Sequence, residues 1–354
     1  MSALKQVVGI DVAKDELVAS FGKLMEDLST EIKDYKVFSN SEKGFESLLK
    51  WVYSKKTLNI EVIFVMEATG VYHERFAHFL YAKEEKTVIV LPNKISNFIR
   101  TLDIKTITDK SCSIAITQFG LSRKLKLWQP ANLVYKELQQ LSREKNQVIQ
   151  ERVRCMNQLH AEKTQALPNS RTIKRLTERI SLLKKQEKEI NEDMLAQVKK
   201  SPEATRGVNL LSSIPGIGKS TAIAVLAETN GFELIRNKKQ LVSYAGLDIR
   251  EKQSGTSIKG KPRISKKGNK NIRKTLHFPA MTAVKMNKNH QDLFQRITEK
   301  TGIKMKGLVA VQRKLLELMY ILFKNKTFYQ IDFEESRVKI KDVHPTQANS
   351  RSLL

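Results

Sequence analysis

Cysteine is scarce in this sequence, and long apolar runs are missing. The two cysteines, Cys112 and Cys155, are far apart and do not have metal-ligand spacing, which excludes a disulfide framework and suits a reducing cytoplasm. No run of about 18 apolar residues occurs, so we expect no membrane span. The start of the chain enters a strand-like pattern with no signal peptide before it. We therefore expect a cytoplasmic globular protein.

Acidic residues are also scarce, but only in the later part of the chain. The net charge is +26. Residues 1–125 contain 18 basic and 16 acidic residues, whereas the remainder contains 45 basic and 21 acidic residues. Such a surplus over one part of a chain indicates a polyanion partner for that part. A general contribution to solubility is the alternative, and the local clustering of the charge argues against it.

The first third of the chain alternates strand and helix patterns. Apolar runs at 7–13, 61–66 and 87–91 predict buried strands, and an amphipathic helix is expected from Ser41. Strands that alternate with helices predict an α/β layer fold for residues 1–125.

The remainder of the chain reads as helical. Apolar residues recur at near-heptad spacing around 138–153 and 173–194, which predicts a helical hairpin or coiled-coil arm over residues 126–205. The arm either packs on its own body or mediates dimerisation, and we favour dimerisation. Residues 206–330 are predicted to form a helical domain, followed by a polar tail at 331–354.

Three carboxylates lie at the ends of predicted strands or at the start of a helix. Asp11 interrupts an apolar strand, Glu67 ends another, and Asp109 opens the helix after the third strand. An ionised carboxylate in such a strand is costly unless it is paired or metal-bound. Acids at one edge of a sheet suit Mg²⁺, and paired ions support phosphoryl transfer. Each acid taken alone could be an ordinary strand-end residue; together they favour a metal site.

A glycine-rich turn, IPGIG at 214–218, precedes Lys219 and Ser220. The nucleotide-binding P-loop needs a glycine at position 213, which is Ser213 here, and no strand pattern leads into the turn. A helix-hairpin-helix turn, whose backbone amides approach a phosphate, is the better interpretation. A plain helix–helix turn remains the alternative.

A strongly basic stretch, residues 236–274, contains a flexible loop with the sequence QSGTS at 253–257. Thirteen lysines and arginines stand against Asp248 and Glu251. Aromatic residues are sparse, so phosphate contact is favoured over base stacking. A serine among cations, Ser254, is placed to attack a phosphodiester, although such a sequence is also an ordinary loop.

These motifs together resemble the one-ten family of insertion-sequence transposases, which includes bridge-RNA-guided recombinases and is related to the pilin-gene invertases. The matching segments occur in the same order over residues 7 to about 325. They are GIDVAK (9–14), MEATGVY (66–72), TDK (108–110), IPGIG (214–218), YAGL (244–247), QSGTS (253–257), RISKKGN (263–269) and RK (273–274).

The resemblance implies a fold, a reaction and partners. It implies a RuvC-like, ribonuclease-H-type domain that binds Mg²⁺ through Asp11, Glu67 and Asp109, then a coiled-coil arm and a helical transposase domain. It implies that Ser254 becomes covalently joined to DNA through a transient phosphoserine, and that a structured guide RNA pairs with the DNA. Because synapsis needs several protomers, we expect a homodimer or homotetramer. The alternatives are a metal-dependent junction nuclease and a non-catalytic nucleic-acid-binding descendant of a transposase.

The sequence departs from the family at one acid. The family pattern has a second aspartate three residues after the position of Asp109, and here that residue is Cys112. Thiolate is a soft ligand and a poor partner for Mg²⁺. Either three acids suffice, or Asp103 or a water substitutes, or this copy is impaired.

Overall fold

Apolar runs rich in β-branched residues form the centre of a mixed sheet in the first unit of the chain, Met1–Pro130. The computed structural model describes residues 2–330 except 103, 234, 252, 255–257 and 260–262. Within these residues the sheet has five strands in the order β3-β2-β1-β4-β5. The strands are β1 (Ala3–Val12), β2 (Glu16–Met25), β3 (Thr30–Ser39), β4 (Val62–Glu67) and β5 (Lys86–Val90). Strands β1 to β3 are antiparallel, and β4 and β5 run parallel to β1.

Helices cover both faces of this sheet. They are α1 (Glu42–Tyr53), α2 (Glu74–Ala82), α3 (Pro92–Ile99) and α4 (Asp109–Leu121). One apolar core joins one face of β1, including Val8 and Ile10, to Phe45 of α1 and Phe76 of α2. A second core joins the opposite face to α3 and α4. The alternating strand residues therefore face two different helix layers, as a centrally placed strand requires.

Helix α4 crosses β1 at unusually short range. A Cβ on Gly9 would lie 2.3 Å from the backbone nitrogen of Thr117 and 2.4 Å from its hydroxyl oxygen. Gly9 N donates to Thr117 Oγ1 at 3.0 Å, and Thr117 Oγ1 donates to the backbone oxygen of Ser20. Only glycine permits this approach, because no other residue lacks the Cβ atom. The contact sets the position of α4 over the sheet.

The predicted α/β character of the first unit is confirmed, with two additions. Strand β3 was missed because its residues are largely exposed and lack a clear apolar alternation. Helix α3 was missed because a proline favours the end of the preceding strand, whereas Pro92 occupies the first turn of a helix. Neither element carries a predicted site residue.

Two long helices open the second unit, which begins at Ala131. They are α5 (Leu133–Thr164) and α6 (Ser170–Lys199), and the linker between them contains the predicted break at Pro168. Val148 and Cys155 of α5 pack in one core with Ile180 and Leu183 of α6. The helical character of this region is confirmed. Its assignment as a coiled-coil arm and its use in dimerisation remain predictions.

Shorter elements follow and share the same core. The turn at 213–218 joins two helices, with Gly218 as the N-cap of the second, and no strand leads into it. The predicted role of this turn in phosphate binding remains a prediction.

The shorter elements of the second unit are α7 (Pro202–Ser212), α8 (Lys219–Glu228), α9 (Lys238–Tyr244), β6 (Ile249–Arg250), β7 (Gln253–Ser254), β8 (Ile258–Lys259), β9 (Arg263–Ile264), α10 (Lys270–Thr275), α11 (His277–Met286), α12 (Lys288–Thr301) and α13 (Lys304–Asn325).

The predicted domain boundaries near residues 125, 205 and 330 remain predictions. The polar tail at 331–354 lies outside the described residues. Among the residues that the structure describes, no helix combines the length and the apolar character needed to cross a bilayer.

Replacing Gly9 by alanine should destabilise the first unit. The new methyl group would overlap backbone atoms of Thr117, which cannot rotate away, so β1 and α4 must separate. We expect a loss of about 1–3 kcal/mol in the free energy of unfolding, the usual cost of overpacking, measured by chemical denaturation.

The matched control is Leu4→Ala on the same strand, at a side chain that is more than half exposed. It should change the free energy of unfolding by less than about 0.5 kcal/mol. Equal stability of Gly9→Ala and the parent protein would show that the close contact is not required.

Candidate active site

The carboxylates of Asp11 and Glu67 lie on neighbouring parallel strands and on the same face of the sheet. Gly9 pairs with Val65 and Ile10 with Met66, so Asp11 and Glu67 occupy the next step of the same register. Val7 and Val65 belong to the core beneath α3 and α4. Because strand side chains alternate between faces, Asp11 and Glu67 project toward that same helix layer.

Helix α4 brings two further residues to this edge. Its N-cap is Thr108, whose hydroxyl accepts from the backbone N–H of Ser111, while the Ser111 hydroxyl accepts from the backbone N–H of Thr108. This reciprocal capping box begins the helix at Asp109 and places Cys112 in its first turn. The Cys112 thiol and the Asp11 carboxylate each influence the pKa of the other, so the two groups are neighbours. The structure thus brings all three predicted acids and Cys112 together; Asp103 lies outside the described residues.

Burial and the neighbouring charges change the pKa values of the acidic group. Burial, followed by the charges of Asp109 and Glu67, raises the pKa of Asp11 from 3.8 to about 6. Burial also raises the pKa of Glu67. Burial and the three carboxylates together raise the pKa of the Cys112 thiol to about 11. Concentrated negative charge of this kind favours protonation or the binding of a cation.

The donor set fits a hydrated divalent ion better than a fully protein-enclosed one. Among the described residues, no three His, Cys, Asp or Glu side chains are grouped closely enough to hold a metal ion directly. Mg²⁺ commonly retains several waters and binds through only one or two carboxylates. Asp11, Glu67 and Asp109 supply suitable oxygen atoms, whereas the protonated thiol of Cys112 is a poor ligand for this ion.

Ser254 belongs to a short antiparallel hairpin in the second unit. Ile249 and Arg250 pair with Ile264 and Arg263, and further out Ser254 pairs with Ile258. Ser254 is the last residue of β7, and its side chain lies outside the described part of the structure, as do residues 255–257. We refer to residues 248–265 as the serine hairpin.

The basic stretch forms an exposed surface at the base of the serine hairpin. Among its described members, only Arg273 is half-buried, and it donates hydrogen bonds to the backbone oxygens of Ala245 and Gly268. The other described members are exposed and available to bind a polyanion. They are Arg236, Lys238, Lys239, Arg250, Arg263, Lys266, Lys267, Lys270 and Lys274.

Comparison with known proteins identifies the family. Residues 8–168 match a family of transposases designated DEDD and IS110, and residues 208–295 match the Transposase IS116/IS110/IS902 family. The chain is 30% identical over 334 residues to the pilin gene-inverting protein of Moraxella bovis, covering 92% of this chain and 98% of that protein. This chain belongs to the IS110 family of transposases. The predicted resemblance is therefore confirmed.

Other relatives agree with this assignment. The transposase is also 30% identical, with the same coverage, to the pilin gene-inverting protein of Moraxella lacunata. It is 25% identical over 135 residues to an uncharacterized 43.6 kDa protein of insertion element IS110 from Streptomyces coelicolor, covering 38% of this chain and 33% of that protein.

Solved structures give a weaker comparison. RuvC of T. thermophilus in complex with a Holliday junction substrate aligns with a TM-score of 0.27 and 9% identity, covering 35% of the transposase and 99% of RuvC. A TM-score of this size is too low to establish a shared fold. The confirmed description is therefore a mixed α/β first unit followed by a helical second part.

Two polar residues that hold helices in place were not predicted from the sequence. Thr117 holds α4 against β1, and the buried acid Glu228 accepts hydrogen bonds from several elements of the second unit. Glu228 ends the apolar helix pattern AIAVLAE at 222–228, and an acid directly after an apolar run is the signal that could have marked it.

Replacing Asp11 by asparagine should stabilise the metal-free transposase at neutral pH. Its pKa is raised from 3.8 to about 6 in the fold, so ionised Asp11 destabilises the folded state as the pH rises through this interval. Below the unfolded pKa both states hold the proton and the effect disappears. We expect Asp11→Asn to raise Tm by a few degrees at pH 7.5 and to leave it unchanged near pH 3.5, measured by calorimetry without divalent cations.

Asp15→Asn is the control, since Asp15 is an exposed acid that follows the same strand. It should leave Tm unchanged at both pH values. Addition of Mg²⁺ should raise Tm of the parent protein more than that of Asp11→Asn. Identical Tm values for Asp11→Asn and the parent at pH 7.5 would contradict the proposed charge repulsion.

Proposed function

We propose that this transposase cleaves and rejoins DNA strands through a transient covalent bond to Ser254, with Asp11, Glu67 and Asp109 holding Mg²⁺. The observation that carries the proposal is the convergence of these three carboxylates at one sheet edge in a chain of the IS110 family. The most extensive relatives are named for inverting a pilin gene, which is a rearrangement of DNA. A RuvC-like arrangement of the first unit is part of the proposal, supported by the mixed strand order.

The acidic group is suited to bind a cation and not a phosphate. Three carboxylates repel one another and would repel a phosphodiester, and a bound cation reverses both effects. When bound, Mg²⁺ supplies charge stabilisation for the attacking and leaving oxygens of phosphoryl transfer. Asp11, Glu67 and Asp109 would hold this ion through carboxylate oxygens, and Cys112 would not be a ligand.

The proposed step exchanges one phosphodiester for another. The Oγ atom of Ser254 loses its proton and forms a bond to phosphorus, and the bond from phosphorus to the leaving DNA oxygen breaks. That oxygen takes up a proton and becomes a hydroxyl. The hydroxyl of a second strand then attacks the phosphoserine, which returns the proton to Ser254. Because equal numbers of equivalent bonds form and break, the exchange needs no external energy source.

The exposed basic surface supplies the binding of nucleic acid in this proposal. Each cation that neutralises a phosphate releases a counterion, so affinity should fall steeply with salt. We further propose that the guide is a structured RNA and that the synapse contains two or four copies of the chain, because two DNA sites must be held at once. Support for these points comes from the excess of basic charge after residue 125 and from the family.

Replacing Ser254 by alanine should abolish the covalent protein–DNA adduct. The change removes the oxygen that attacks phosphorus and alters no charge, so affinity for DNA and RNA should stay within about twofold. Denaturing gel electrophoresis of the protein mixed with labelled DNA and Mg²⁺ measures the adduct, and a mobility-shift assay measures binding.

Two further variants serve as controls for this test. Ser257→Ala, in the same loop, should keep forming the adduct, and Cys112→Asp, which adds a fourth carboxylate, should form at least as much adduct as the parent. If Ser254→Ala still forms the normal adduct, Ser254 is not the nucleophile, and a nuclease that uses water gains support if DNA is cut without any adduct.

A specific RNA should co-purify with the transposase from cells that carry the whole insertion element. The expected result is one enriched structured RNA from the non-coding end of the element, identified by sequencing after purification at moderate salt. As a control, a variant with Lys266, Lys267 and Lys270 replaced by glutamine should retain less RNA. Recovery of only random cellular RNA would contradict guidance by RNA.

A further inference from the structure

A buried carboxylate, Glu228, lies at the end of α8 in the second unit. Its side chain is only 2% exposed. Arg143 of α5 donates to both of its oxygens, from Nε to Oε1 at 2.8 Å and from Nη2 to Oε2 at 2.9 Å. Asn269 donates to Oε2 at 2.7 Å, and Asn271 donates to Oε1 at 2.8 Å. Each oxygen therefore accepts at least two hydrogen bonds.

This environment is built for the ionised form of Glu228. Burial alone would raise its pKa, but the hydrogen bonds from Arg143 and Asn269, the positive charge of Arg143 and the hydrogen bond from Asn271 outweigh burial and lower the pKa. Hydrogen bonds to a charged group are about twice as strong as neutral ones. A neutral side chain at this position would leave Arg143 without its bidentate partner and would weaken the hold on both asparagines.

The residues held by Glu228 stand at both ends of the serine hairpin. Before the hairpin, the hydroxyl of Tyr244 donates to the backbone oxygen of Glu228 at 2.8 Å. After the hairpin, Asn269 and Asn271 bind its carboxylate. Asn269 also caps α10, because its Oδ1 accepts from the backbone N–H groups of Asn271 and Ile272. The side chain of Glu228 thus ties the outgoing segment to α5 and α8, and its backbone oxygen binds the incoming segment through Tyr244.

Backbone hydrogen bonds also join the incoming and outgoing segments at the base of the hairpin. Asn269 N donates to Tyr244 O at 2.7 Å, Lys266 N donates to Gly246 O at 3.1 Å, and Ser265 N donates to Asp248 O at 2.8 Å. A Cβ on Gly268 would lie 2.4 Å from Tyr244 O, so the two segments touch backbone to backbone. The incoming segment is buried at Ala245 and Leu247, whereas the outgoing segment is exposed from Lys266 to Gly268. A short backbone ladder with one exposed strand opens easily unless a buried interaction secures its base.

We propose that Glu228 is a positioning residue that clamps the base of the serine hairpin and so sets where Ser254 is presented to DNA. Glu228 acts through Tyr244, Asn269 and Asn271 and does not itself touch the DNA. The catalytic part of this inference rests on the proposed role of Ser254. The structural part, a hairpin base secured by Glu228, stands independently of that role.

The test compares Glu228→Gln and Asn271→Ala with the parent protein. Asn271→Ala removes one hydrogen bond and keeps the buried ion pair, so it reports on the clamp even if Glu228→Gln folds poorly. Hydrogen exchange should become faster at the amides of Ser265, Lys266 and Asn269 in both variants, and α13 should keep its protection. The rate of adduct formation at saturating DNA should fall by about tenfold in Glu228→Gln, the equivalent of one charge-assisted hydrogen bond, with DNA affinity unchanged.

Glu317→Gln is the matched control. Glu317 is largely buried, at 16% exposure, and pairs with Arg313 at 3.0 Å within α13, so its loss also removes an ion pair of the second unit. It should lower Tm without changing exchange at the hairpin base or the adduct rate. Unchanged exchange at the three hairpin amides in Glu228→Gln and Asn271→Ala would overturn the clamp. If the parent forms no adduct, the proposed function fails, and hydrogen exchange alone decides the clamp.

Discussion

The contact between Gly9 and Thr117 is the constraint on which the acidic site depends. Asp11 follows Gly9 by two residues in β1, and Cys112 precedes Thr117 by little more than one turn of α4. Strand and helix are both rigid over such short intervals, so the crossing point determines how near the two ends approach. A side chain at position 9 would push α4 outward, since its Cβ would lie 2.3 Å from the backbone nitrogen of Thr117. The acids therefore meet because a glycine removes the obstacle between strand and helix.

In the second unit, a buried ion pair positions the serine hairpin, whereas close packing positions α4 in the first unit. In the serine hairpin, Ile249, Arg250 and Arg263 are exposed, and Ile264 packs against the core. A buried ion pair seldom adds net stability compared with apolar residues, but it defines one geometry because each oxygen must meet its donors. Glu228 and Arg143 form such a pair, and the asparagines that share it belong to the segment after the hairpin. Specific placement is the benefit that offsets the cost of burying this charge.

The sequence predicted the elements that bury apolar residues and missed those that do not. Strand β1 and the strand that ends at Glu67 were found because β-branched runs mark central strands. Strand β3 lies at the edge and is mostly exposed, so its sequence shows no such run. The convergence of Asp11 and Glu67 followed from the rule that parallel strands end at a common edge. The role of Glu228 could not be predicted, because its partners are up to 89 residues away in the chain and no local pattern connects them.

The acidic group and the basic surface carry opposite charges. This difference determines the order of nucleic-acid binding and cleavage in the proposed reaction. Burial, followed by the charges of Asp109 and Glu67, disfavours the ionised form of Asp11 and raises its pKa to about 6. A phosphodiester brought to these acids without a cation would meet repulsion at short range. The basic residues after residue 125 attract the same phosphodiester from a distance. The net charge of each region keeps its own sign. In the proposed reaction, the second unit would bind nucleic acid in the absence of a divalent cation, whereas cleavage would require a cation at Asp11, Glu67 and Asp109. Binding without cleavage is the condition that this proposal predicts for the metal-free protein, and it would allow two DNA sites to be held before either is broken.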